Sequence, residues 1–139
     1  MEKLNLSIAA DEVYTIGKTA TACTIVDNNN TAKSVWSGSL DVYATPMMIA
    51  LMEQAACECL VGGLEPGQTS VGTEINVAHI AASPLGAEIT ATATIDSVTG
   101  RKIEFIVSAS DKTGEIGNGR HTRVIVDTEK FMKRAYSSV

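Results

Sequence analysis

A chain of 139 residues with 45% hydrophobic and 19% charged side chains has the length and composition of one globular domain, 1–139, able to bury a core without disulfide or metal staples. Its formal net charge of -5 argues against nucleic acid or an anionic membrane as partner, since both demand a broad basic surface. With aromatics at only 4%, the core has to be filled by Val, Ile, Ala, Thr and Met, which favours tight packing between faces of small residues.

The opening "MEKLNLSIAADE" meets acidic residues too early for a signal peptide, so a cytoplasmic location is expected. From Gly17 to Val26, "GKTATACTIV" alternates and is rich in Thr and other β-formers before "DNNNT" breaks it, which reads as a strand and a loop. The stretch Ala32 to Leu40, with the only tryptophan, reads as irregular or a short helical turn. A helix is expected from about Pro46 to Val61, with Thr45 as N-cap, Pro46 in the first turn where a missing N–H costs nothing, and Gly62 and Gly63 beyond its end. Pro46 to Met52 is the longest purely apolar run, far short of the roughly 20 residues that span a bilayer. Because Met47 to Met52 are apolar all round, the helix should be wrapped by other elements.

Four further strands supply the wrapper: Thr69 to His79, Ala87 to Val98, Lys102 to Ser110 and Glu115 to Asp127, the last irregular at "GNGR". "TGRK" and "DKTG" look like hairpin turns, making the last three strands antiparallel neighbours. After Asp127 a short closing helix is expected. One long apolar helix after an early strand, followed by four antiparallel strands, describes an α+β domain in which a curved sheet wraps the helix. The three cysteines, Cys23, Cys57 and Cys59, are an odd number with diverging side chains at Cys57 and Cys59, and read as reduced packing residues. His79 and His121 are the only imidazoles and have no close Cys/His spacing, so no metal site is expected.

Several residues invite a chemical reading. Glu53 is the first charge in the apolar helix, and an unpaired buried carboxylate is costly, so it either meets solvent on a narrow side of the helix or has a partner. His79 closes the alternating face Val71, Thr73, Ile75, Val77 and His79, where it serves either as a hydrogen-bonded structural residue or as a base. Glu53 is a candidate partner for it, since a carboxylate accepting one imidazole N–H leaves the other nitrogen free. Thr45 stands eight residues before Glu53 and so about 80° from it around an ideal helix. Its hydroxyl either caps the helix or meets a bound carbonyl, where the N–H groups of a helix start would favour developing negative charge. Gly72 marks a bulge or a close approach to backbone. His121 and Arg123 share a strand face, and Arg120, Arg123, Lys130, Lys133 and Arg134 concentrate positive charge near the C-terminus. That charge is either solvated or a landing site for phosphates.

"YATPMMIALME", "SVGTEINVAHIAASPLG" and "GNGRHTRVIVD" resemble, in order and separation, the three signature segments of the fluoroacetyl-CoA thioesterase-like branch of hot-dog thioesterases, over roughly Gly17 to Phe131. The resemblance implies a hot-dog fold and a catalytic group of Thr45, Glu53 and His79. It also implies a carbonyl-holding backbone at Gly72, a matching arginine at Arg123, and no cofactor beyond the coenzyme A of the substrate. The aromatic residues found around the threonine motif in the family's prototype are not reproduced here, where Met47 and Met48 follow Pro46, and flexible methionines suit a different or broader acyl group. Thioester hydrolysis of a small acyl-CoA is therefore the expected activity. The alternatives are a non-catalytic acyl-CoA binding or sensing module and a hot-dog hydratase or dehydratase. Small-residue strands such as "AEITATATI" leave a sheet edge to be covered, and a homodimer or dimer of dimers is expected.

Overall fold

Alternation of apolar and polar residues builds the middle of the molecule. In the structure, a computed structural model that describes residues 14–139, Ile89, Ala91, Ala93 and Ile95 point inward from one strand, and Ile103, Phe105, Val107 and Ala109 from the next. The described elements are β1 (Thr19–Ile25), α1 (Thr45–Leu60), β2 (Gln68–His79), β3 (Glu88–Thr99), β4 (Lys102–Asp111), β5 (Gly114–Asp127) and α2 (Thr128–Tyr136). The five strands form one antiparallel sheet in the order β1-β3-β4-β5-β2. Both expected hairpins are present, and strand and helix ends fall within two residues of the positions read from the sequence. The irregularity anticipated at "GNGR" lies just before it, where the β4–β5 register shifts between Ala109 and Ser110.

Helix α1 lies chiefly against β1 and β3. Its Met48, Leu51, Met52, Ala55, Ala56, Cys59 and Leu60 are buried, and the small residues Ala55 and Ala56 share one core with Ala91 and Ala93, as a core poor in aromatics requires. The sheet covers one side of the helix and does not surround it: Ala50, Gln54 and Cys57 stay exposed. Cys59 is the one buried cysteine; Cys23 and Cys57 are exposed, because Cys23 points outward from β1 and Cys57 lies on the open stripe of α1. The loop between β1 and α1 is irregular and holds Trp36 at a φ of 62°, 94% exposed.

The sheet ends on β2, and here the strand departs from simple alternation. Gly72 pairs with Arg123 and Glu74 with Thr122, so Thr73 is an extra residue and the register shifts. Directly opposed residues share a face of the sheet. The bulge therefore puts Gly72, opposite Arg123, on the same face as Ile75, Val77 and His79, opposite His121, Gly119 and Gly117. Val71 and Thr73 do not belong to the face closed by His79. Nor is that face fully covered, since Gly72 to Asn76 are exposed along the free edge.

Close approach fixes the far end of β2. A Cβ on Gly119 would lie 2.1 Å from the Asn76 carbonyl oxygen and 2.6 Å from Val77 Cα, a clash with backbone that no side-chain rotation relieves. Gly119→Ala is accordingly expected to destabilise the fold by about 1–3 kcal/mol or more, read as a lower urea midpoint; an unchanged midpoint would show that β2 is free to move away from β5.

Candidate active site

Helix α1 carries two polar groups that meet the sheet at separate points, Thr45 at the end of β2 and Glu53 at β5. At the first, Thr45 Oγ1 and His79 Nδ1 stand 2.8 Å apart. Ala44, not Thr45, occupies the N-cap position, and it makes no side-chain cap bond. The Thr45 hydroxyl is thus committed to the imidazole. The helix start offers fewer donors than its dipole suggests: Pro46 has no N–H, and the N–H groups of Met47 and Met48 both donate to the Ala44 carbonyl.

His79 sits at the end of β2 with its Nε2 buried and without a hydrogen-bond partner among the described residues. Burial lowers its pKa below the ordinary imidazole value, with the Ala81 backbone acting weakly the other way. The ring is therefore neutral near pH 7, as a base must be. Beside the pair opens a cavity of about 290 Å³, lined by Thr45 and His79 together with Ala32, Ser37, Ala81 and Ala82 among others. The Tyr43 hydroxyl donates to the Met47 carbonyl at 3.1 Å, and the Tyr43 N–H donates to the Ser83 carbonyl at 2.9 Å, tying the loops that flank Thr45 to the core.

The second meeting point belongs to Glu53. Its Oε2 accepts from Arg123 Nη1 at 3.1 Å and lies 3.7 Å from His121 Nε2. Arg123 also donates from Nε to Ser70 Oγ at 2.9 Å and from Nη2 to the Ser70 carbonyl at 3.1 Å. The arginine is buried while the Glu53 carboxylate is 40% exposed, so the cation is held and the anion is offered to solvent. A Cβ on Gly72 would lie 2.6 Å from Glu53 Oε2 and 3.1 Å from His121 Cε1, so any side chain here would displace the carboxylate from its present position. His121 stacks on Phe105, centroids 6.1 Å apart. Its pKa is lowered first by burial and further by Arg123, against the Glu74 carbonyl and Glu53.

The five residues singled out from sequence thus fall into two groups, Thr45 with His79 and Glu53 with Gly72 and Arg123. The pairing of Glu53 with His79 suggested by the sequence does not occur within the chain, because Arg123 and His121 claim the carboxylate. Two residues missed as site members, Ser70 and His121, orient Arg123; the alternation that puts His121 on the face of Arg123 was the available signal. The basic patch is reduced as well, since Arg123 is buried and Arg120 is paired with Asp96, leaving Lys130, Lys133 and Arg134 on the exposed helix α2. Among the described residues no group of His, Cys, Asp and Glu is arranged to hold a metal ion.

Comparison with known proteins gives one consistent answer. The family model described as fluoroacetyl-CoA-specific thioesterase matches residues 26–129. A fluoroacetyl-CoA thioesterase from Streptantibioticus cattleyicolor is 46% identical over 91 residues, which span 66% of this chain and 66% of that protein. A solved structure of the fluoroacetyl-CoA thioesterase FlK superposes with a TM-score of 0.86 at 35% identity, covering 90% of this chain and 97% of that one. A hot-dog-like protein from Thermanaerovibrio acidaminovorans follows with a TM-score of 0.84 at 29% identity, covering 92% and 95%. The expected hot-dog architecture is thereby established.

The two lowered histidines give stability a definite pH dependence. Both fold with pKa values below the unfolded imidazole value of about 6.5, so as pH falls the unfolded chain takes up protons that the folded chain refuses. Stability is full above about pH 6.5, declines as pH drops from there toward the folded values, and levels off below them. A urea midpoint lower at pH 5.5 than at pH 7.5 is expected; an equal or higher midpoint at pH 5.5 would contradict the burial of these rings.

Proposed function

Because the chain belongs to the fluoroacetyl-CoA-specific thioesterase family, we propose that it hydrolyses a small acyl-CoA thioester with Thr45, His79 and Glu53 as catalytic residues. Membership makes it a thioester hydrolase acting on acyl-CoA; the acyl group and the residue roles are read from the site. The observation that carries the reading is the 2.8 Å contact between Thr45 Oγ1 and His79 Nδ1, the spacing of a hydroxyl and the base that deprotonates it. The proton of the attacking oxygen, either Thr45's own or that of a water it holds, passes to His79 as the oxygen's electron pair bonds to the thioester carbonyl carbon. Collapse of the tetrahedral species breaks the C–S bond, and the proton returns to the leaving thiolate; where Thr45 itself attacks, a water deprotonated by His79 then adds to the acyl-threonine carbonyl, and collapse releases the acid and returns the proton to the Thr45 oxygen. Glu53 supplies a fixed negative charge that supports the imidazolium, and the backbone at Gly72 helps hold the carbonyl oxygen.

Eight residues of helix separate Thr45 from Glu53, about 12 Å along the axis, too far for both to serve one carbonyl within a chain. The free edge of β2 suggests how they meet. Antiparallel pairing of two β2 edges about a two-fold axis would lay the His79 end of one strand beside the Gly72 end of the other, bringing the Thr45–His79 pair of one protomer toward Glu53 of its partner. The exposed run Gly72 to Asn76 supports this homodimer. The flexible Met47 and Met48 suit a different or broader acyl group without singling out a fluorinated one, and the cavity of about 290 Å³ favours a small one. Lys130, Lys133 and Arg134 on α2 suit the phosphates of coenzyme A, which needs no additional cofactor. Action in the cytoplasm fits such a substrate, and among the described residues no helix is long and apolar enough to cross a membrane.

Thiol release measured over a panel of acyl-CoAs tests the activity. His79→Ala is expected to lower kcat by roughly a hundredfold or more with folding preserved, and Glu53→Gln to lower it as well; wild-type turnover by folded His79→Ala would end the assignment. Light scattering at micromolar concentration is expected to return a dimer mass, and a fully active monomer would contradict the shared site.

A further inference from the structure

We infer that His121 is a positioning residue for this reaction: its Nε2 accepts from Arg123 and so fixes the guanidinium that holds the Glu53 carboxylate. The inference rests on the reading of Glu53 as catalytic and assigns the device that aims it.

The tautomer follows from the partners. His121 Nδ1 lies 2.8 Å from the carbonyl oxygen of Glu74, and a carbonyl can only accept, so Nδ1 carries the proton. In the neutral ring Nε2 then has a lone pair, and Arg123 Nη1, a donor without alternative, points at it from 3.2 Å. The same Nη1 donates to Glu53 Oε2 at 3.1 Å, while Ser70 takes the remaining donations from Nε and Nη2. His121 is thus the acceptor on one side of the nitrogen that grips the carboxylate. Its side chain is 1% exposed and clamped by stacking on Phe105, so the lone pair has one orientation. The Nδ1 bond does something different: it ties β5 to β2 just beyond the bulge. A merely structural histidine would act through Nδ1 alone, whereas the inferred role acts through Nε2.

Two substitutions separate the nitrogens. His121→Asn places an amide near Nδ1 and keeps the bond to Glu74, leaving Arg123 without its acceptor; His121→Gln reaches the Nε2 position and restores an acceptor for Arg123. Steady-state kinetics on folded protein are expected to show His121→Asn with kcat lowered about tenfold or more and KM within about threefold of wild type, while His121→Gln keeps kcat within about threefold. Equal activity of the two variants, or a more active Asn variant, would overturn the inference. Glu53→Gln, run in parallel, tells this failure apart from failure of the underlying reading, because full turnover by that variant removes Glu53 from the mechanism whatever His121 does. Should either His121 variant unfold, the tautomer in wild-type protein decides: nitrogen-15 NMR at pH 7 is expected to find the His121 proton on Nδ1 with Nε2 bare, and a proton on Nε2 would overturn the inference.

Discussion

A carboxylate on the side of a helix that turns toward a sheet must find a cation or remain in water, and Glu53 does some of each. Its bond to Arg123 organises much of what surrounds it. The arginine, buried on β5, needs its donors occupied, and Ser70, His121 and Glu53 take four of its five N–H groups. The carboxylate keeps this position because Gly72, on the strand opposite, presents no side chain where it crosses. The bulge at Thr73 is what turns Gly72 toward the helix while leaving His79 on the same face seven residues later. A polar network of this kind inside an apolar interface is costly when incomplete, which is why its members are all fixed by at least one partner.

Much of this architecture is legible in the sequence, for identifiable reasons. Alternating Ile and Ala in "EITATATI" and the turns at "TGRK" and "DKTG" specify the central hairpins because period and turn chemistry agree. Pro46 and the glycine pair bracket the helix for the same reason. Gly72 offers a bulge as one of two readings, but its effect on facing is not legible: a single extra residue in β2 leaves the strand signal intact and reverses the facing of everything before it. The burial of Arg123 was hidden too, since an arginine in a basic C-terminal stretch looks like surface charge until Glu53 and Ser70 are seen beside it. Threonine before proline at a helix start suits a cap as well as a catalytic hydroxyl, and only the position of His79 shows which partner the hydroxyl takes.

The site's division into two groups connects local geometry to assembly. Thr45 and His79 form a hydroxyl–base pair with a cavity beside it, and Glu53 offers a half-exposed carboxylate gripped from behind. On the proposed reading each group supplies one part of a thioesterase centre. The uncovered edge of β2 and its exposed Ile75 lie where, on the proposed reading, a second chain would bring one group to the other. On that reading substrate choice is a matter of the cavity's walls, built here from Ala32, Ser37, Val42, Tyr43, Ile80 and Ala81 around the pair.

The most direct test of the central claim, that the two groups serve one thioester, is a crystal structure with an acyl-CoA analogue whose thioester sulfur is replaced by methylene. The account predicts a dimer with the analogue's carbonyl against Thr45 and His79 of one protomer and the Glu53 carboxylate of the other on its far side. A carbonyl bound away from Thr45 and His79, or bound there with no Glu53 carboxylate within reach, would contradict it.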